Sequence, residues 1–326
     1  MKLTFRWYGE TDSIPLDYIR QIPNMSGVVS SCYEVKVGEV WPIESLKKQK
    51  QLCEDKGLKF EVIESIPVHE DIKLGKPTRD KYIANYIENI RRVASIGVKV
   101  ICYNFMPVFD WTRTNLHYQN ADGSESLSFS FDDFKKLDPK NLHLPGWDES
   151  YTKEELNSLL DEYKNISHEQ LFDNLVYFLN KIIPVCDELD VKMAIHPDDP
   201  PMDIFSLPRI ISTEEDLDRL FEAVKSTNNG LTFCTGSLGA RKDNDLVKMA
   251  DKYSRANRIH FVHLRNICYT DNNNSFYESG HYSKTGSLPM NKIVQVLVKN
   301  HFDGYVRPDH GRNIFGENKK PGYGLF

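Results

Sequence analysis

Several signatures that would fix a function class at once are missing from this chain. There is no CxxC pair, and the six cysteines, Cys32, Cys53, Cys102, Cys186, Cys234 and Cys268, are widely spaced along 326 residues. On that spacing, in a chain expected to be cytoplasmic, most of the six read as free thiols. No run of about 18 apolar residues occurs, so no membrane helix is expected. The first ten residues, MKLTFRWYGE, lack the apolar core of a signal peptide, which makes the cytoplasm the expected location. No GxGxxG, GxxxxGKS or GxxxxGKT string follows an early strand, which argues against a dinucleotide or P-loop fold. Basic charge is short as well. Lys and Arg total 41 against 47 Asp and Glu, a net charge of −6, so no surplus exists to neutralise the phosphates of a nucleic acid.

What is present is a large soluble core, with 40% hydrophobic and 27% charged residues. Eight short apolar, β-rich runs recur: LTFRWY at 3–8, GVVSSC at 27–32, KFEVIES at 59–65, VKVICYNF at 98–105, VKMAIHP at 191–197, GLTFCTG at 230–236, IHFVHLRN at 259–266 and GYVRPDH at 304–310. Several are nearly continuous in apolar character, as parallel strands buried on both faces are. Helical stretches fill the gaps. Residues 79–97 place Ile83, Tyr86, Ile87, Ile90 and Val93 on one face. Residues 167–190 open with Ser167 and, three residues on, Gln170, the pattern of a capping box. Strand and helix alternating eight times predict a single (β/α)₈ TIM-barrel domain over 1–326, with a doubly wound open sheet as the alternative.

Two irregularities qualify that pattern. Residues 106–166 form a long insertion after strand four, rich in aromatic and polar residues, and read as an ordered lid. After strand eight only sixteen residues remain and they are not helical. The eighth helix is missing from the pattern, and the natural chain is expected to continue past Phe326.

In such barrels the chemistry sits at the C-terminal ends of the strands. Strand five ends in His196, strand six carries Cys234, strand seven carries His260 and His263, and strand eight runs into Asp309 and His310. His, Cys, His and Asp on four successive strands converge on one point, and they are donors for a divalent transition metal. Alternation along strand seven puts only one histidine inward; His263 is nearer the C-terminal end and is chosen, with His260 on the solvent side or behind the first ring of donors. Arg307 is a candidate to clamp a substrate carboxylate or hydroxyl, or to hold Asp309 in place. Arg6, Trp7, Asn104, Trp111 and Arg113 are candidates to line a polar pocket.

The strings AIHPDDPP, FCTGSLG, HFVHLRN, VRPDHGR and KPGYGLF, with FRWYG and PVFDWTRTNL, together resemble the mannonate dehydratases of the xylose-isomerase-like barrel group, across essentially the whole chain. The resemblance implies a site for one divalent metal per chain, Mn²⁺ or Fe²⁺, on His196, Cys234, His263 and Asp309, with no organic cofactor. It implies a catalytic set of Asp309, His310 and Tyr323, and a homo-oligomer, a dimer or larger. It also implies the reaction of D-mannonate to 2-keto-3-deoxy-D-gluconate and water, in glucuronate catabolism. His310 and Tyr323 would share the proton transfers, and their order stays open. The main rival is a metal-dependent sugar isomerase or epimerase on the same barrel. Such sites are built mainly from Glu, Asp and His, so Cys234 argues against it. A metal-dependent endonuclease would need more carboxylates and a basic face, and a structural zinc site would have no use for His310.

Overall fold

The computed structural model describes residues 1–138, 152–270 and 274–313. Eight parallel strands close into a barrel: β1 (Lys2–Arg6), β2 (Met25–Ser30), β3 (Lys59–Glu64), β4 (Val100–Tyr103), β5 (Lys192–Ile195), β6 (Asn229–Cys234), β7 (Ile259–Leu264) and β8 (Tyr305–Pro308). Each strand pairs with the next in sequence, and β8 pairs with β1 to complete the ring. All eight expected strands form, and the fold is an α/β TIM barrel. The runs are apolar on both faces because each strand packs twice. Val29, Val62, Val100, Cys102, Ala194, Phe261 and Tyr305 form one buried cluster, and the residues alternating with them join the larger core under the helices.

The helix His168–Leu189 keeps the expected capping box, with Ser167 accepting from the Gln170 N–H and the Gln170 side chain returning to Ser167. Its apolar face, including Leu175, Phe178, Leu179 and Ile182, is fully buried. No helix among the described residues is long and apolar enough to cross a membrane. The segment after β8, in which no eighth helix is expected, lies outside the described residues beyond residue 313.

Inter-strand register positions the barrel mouth. Cys234 pairs with His263, and His263 pairs with Arg307 on the other side, so one row across β6, β7 and β8 carries all three. On the opposite wall Glu64 pairs with Cys102.

The insertion is more regular than its sequence reading as a lid. Asn115–Gln119 and Glu125–Phe129 form an antiparallel pair. Glu125–Phe129 also pairs with Phe276–Glu278, from the β7–β8 connection, and with Arg312–Asn313, just past β8. Ile267–Tyr269 completes the small sheet. The string NADGS between the two insertion strands is a hairpin signal, with Gly123 at φ 83° closing the turn. Helix Lys153–Tyr163, capped by Thr152 with Glu155 in a capping box, ends the insertion.

Candidate active site

His196 follows β5 directly, and its backbone N–H donates to the Tyr103 carbonyl at 2.6 Å. Its Nδ1 lies 2.7 Å from the Pro197 carbonyl, which fixes the proton on Nδ1 and leaves the Nε2 lone pair for another partner. Cys234 ends β6 and is fully buried. Asp309 follows β8, with its Oδ2 3.8 Å from the Cys234 Sγ. His263 is 1% exposed, and neither ring nitrogen has a hydrogen-bond partner among the described residues. The nearest carboxylates stand off at 3.6 Å (Asp309 Oδ2 from Nδ1) and 3.5 Å (Glu64 Oε2 from Nε2).

One donor atom from each of His196, Cys234, His263 and Asp309 lies within 4.8 Å of the others. The structure therefore brings together the four residues that strand ends and spacing nominated. Leaving a buried imidazole unpaired costs about 1–3 kcal/mol. A cation among two imidazoles, a thiolate and a carboxylate answers that cost, and the donor set suits a transition metal. The fit is to this donor set as it stands. His260 is excluded from it. Its Nε2 lies 2.9 Å from the Thr227 carbonyl, and the ring packs over Gly230, where a Cβ would sit 2.2 Å from Nε2. It faces away from the donors as expected, but it is buried under a loop rather than turned to solvent.

His310 is also buried, with its ring 5.6 Å from Trp111. Burial is the largest influence on it and, with Arg265 and Arg113 nearby, outweighs Asp309 and pushes the imidazolium down to about 3. The ring is neutral through the ordinary pH range. Burial would raise the Asp309 carboxyl, but the guanidinium groups of Arg307 and Arg265 hold it well below the usual carboxylate range.

Two arginine frames surround the donors, and both depend on acids that the sequence did not single out. In the first, Arg307 donates through Nε and Nη2 to Glu64 at 2.8 and 2.6 Å, and its Nη2 lies 2.9 Å from Asp309 Oδ1. Arg6 reaches the same Glu64 at 2.8 Å. Of the three tasks expected for Arg307, this geometry matches the holding of Asp309. In the second frame Arg113 and Arg265 share Asp199 and Glu278. Arg113 donates to Asp199 at 2.8 and 3.1 Å, to Glu278 at 2.8 and 3.2 Å, and to the Thr112 carbonyl at 2.9 Å. With its N–H groups so directed, Arg113 ties the insertion to the barrel and does not turn toward a pocket. Arg265 donates to Asp199 at 2.6 Å and lies 3.2 Å from Glu278. It can do so only because residue 236 is glycine: a Cβ there would sit 2.0 Å from the Arg265 Nε.

Removing Glu278 would leave two buried guanidinium groups with one shared carboxylate fewer. Glu278→Ala is expected to lower stability by about 3–5 kcal/mol, read from denaturant unfolding. Amide exchange in Asn115–Phe129 should quicken with it. A cost under about 1 kcal/mol would mean that the network is not holding the insertion.

The other nominated residues are placed as follows. Trp7 follows β1 and is buried, its carbonyl accepting from Ser30 Oγ at 2.7 Å. Asn104 follows β4 and accepts from the Met106 N–H at 3.2 Å. Trp111 sits beside Asp199 through an isolated bridge. Tyr323 lies outside the described residues.

The sequence matches the model of the D-mannonate dehydratase (UxuA) family over residues 1–326. A mannonate dehydratase from Thermotoga petrophila is 51% identical over 338 aligned residues, which cover 100% of this chain and 93% of that protein. The crystal structure of mannonate dehydratase from Streptococcus suis serotype2 superposes with a TM-score of 0.94 at 46% identity, over 100% of this chain and 90% of that one. A D-psicose 3-epimerase from Clostridium cellulolyticum H10 superposes at 0.57 with 11% identity, covering 100% and 89% of the two chains, a likeness of fold alone.

Proposed function

The chain belongs to the D-mannonate dehydratase family and acts as a mannonate dehydratase on a small sugar acid, and from that premise we propose that it converts D-mannonate to 2-keto-3-deoxy-D-gluconate and water, in glucuronate catabolism in the cytoplasm. The observation that carries this reading is the group of four donors at the barrel mouth with buried, neutral His310 beside it.

In this reading His196, Cys234, His263 and Asp309 hold one Mn²⁺ or Fe²⁺. Bound there, the ion would supply Lewis-acid stabilisation of the negative charge that builds beside the substrate carboxylate as C2 loses its proton. The chain's own residues do the rest. His310, buried next to Asp309 and Trp111, is the group we assign to the proton at C2. Tyr323 carries the other transfer, protonating the C3 hydroxyl as it leaves as water. The enol that remains becomes the ketone. Arg307 and Glu64 keep the Asp309 carboxylate ionised and aimed. Arg6, Trp7, Asn104 and Trp111 line the approach for the polyol. Arg113 is reassigned from substrate contact to anchoring, because its guanidinium bonds run to Asp199, Glu278 and the Thr112 carbonyl.

Residues 1–326 are proposed as one barrel domain, with 106–166 covering its mouth. A dimer, the assembly implied by the resemblance, completes the reading and is open to sedimentation. The function is tested by incubating protein loaded with Mn²⁺ or Fe²⁺ with a panel of aldonic acids and measuring 2-keto-3-deoxy product. Product from mannonate that is lost on chelation is expected. A loaded protein that interconverts aldoses and ketoses and releases no keto acid would establish the isomerase alternative.

A further inference from the structure

The Cys234 sulfur has a neighbour that the donor set does not need. Ser237 Oγ lies 3.1 Å from Cys234 Sγ and 3.2 Å from Asp199 Oδ2, and it is fully buried. A serine hydroxyl has one proton to give. Asp199 Oδ2 already receives Arg265 Nη1 at 2.6 Å and Arg113 Nη2 at 3.1 Å, so Ser237, at 3.2 Å, would be its third and longest donor. Arg265 Nη1 also approaches the Ser237 oxygen at 3.4 Å, from the side of the guanidinium. Of the hydroxyl's two acceptors the sulfur, at 3.1 Å, is both the nearer and the less crowded.

We propose that Ser237 is a positioning residue that donates its hydroxyl proton to the Cys234 thiolate, with Arg265, lying over Gly236 and bound to Asp199, fixing the direction of that bond. The inference rests on the reading of Cys234 as a metal ligand. A hydrogen bond to a ligating sulfur draws off part of its electron density and fixes where its lone pairs point, and so tunes both metal affinity and the metal–sulfur bond. A serine that merely joined two turns of backbone would do neither.

The test uses the full chain loaded with Co²⁺, whose thiolate-to-metal charge-transfer absorption reports on the sulfur directly. Ser237→Ala should move that band to lower energy, because the sulfur electrons are no longer held by the hydrogen bond. Its Kd for Co²⁺ should rise by roughly 10-fold, the scale on which supporting partners act on metal sites. Ser237→Thr, which keeps the hydroxyl, should restore the wild-type band. A band that is present in the wild type and unmoved in Ser237→Ala, with unchanged Kd, overturns the inference and leaves Cys234 as a ligand. A wild-type protein that binds Co²⁺ with no thiolate band takes Cys234 out of the donor set, and this inference falls with it, while His196, His263 and Asp309 keep the metal reading.

Discussion

Replacing His310 with asparagine is expected to lower kcat by about 10²–10⁴-fold, the usual worth of a placed acid–base group, while bound metal stays near its wild-type amount. His310 adjoins Asp309 in the chain but is not among the four clustered donors. Its ring is buried next to Trp111, and burial, aided by Arg265 and Arg113, keeps it neutral. Asparagine fits the space and keeps an N–H but cannot take up a proton at any ordinary pH. The variant should therefore bind metal and mannonate and fail in the chemistry, which single-turnover measurements beside metal analysis would separate. Loss of bound metal from His310→Asn would move His310 into the donor set and end its role in proton transfer.

Much of the barrel was legible before any coordinates. VKVICYNF and VKMAIHP announce their strands because burial on both faces leaves no room for polar alternation, and the structure places β4 and β5 within them. The four donors were legible for a related reason: successive parallel strands end on one rim, so equivalent positions in the sequence become neighbours in space. The arginine frames were not. Glu278 reaches Arg113 across 165 positions in the chain, and no short pattern records a pairing of that span. Glu64 left a fainter trace. It shares the parity of Val62, which faces the barrel interior, and a lone acid on that side at the end of β3 implies a buried cationic partner. The hairpin in the insertion also had its signal in NADGS, hidden by the polar character of its outer strand, Asn115–Gln119, which is largely exposed.

Cys234→Ser should weaken Mn²⁺ binding by at least ~10-fold, with activity falling alongside, on the scale found when metal shells are weakened. Cysteine binds a metal as the thiolate, a stronger charge donor than a hydroxyl or a neutral imidazole. Serine keeps nearly the same shape in a fully buried site, so the change falls on the donor rather than on the packing. The softer divalent ions should lose the most, and the preference for them over Mg²⁺ should shrink. Excess Mn²⁺ should recover part of the activity, because His196, His263 and Asp309 keep their places and His310 is untouched. A cysteine that only filled the core would behave in the opposite way: the variant would lose some stability and bind metal as before. Titration of the purified variant with Mn²⁺ separates the two, and an unchanged Kd would remove β6 from the metal site.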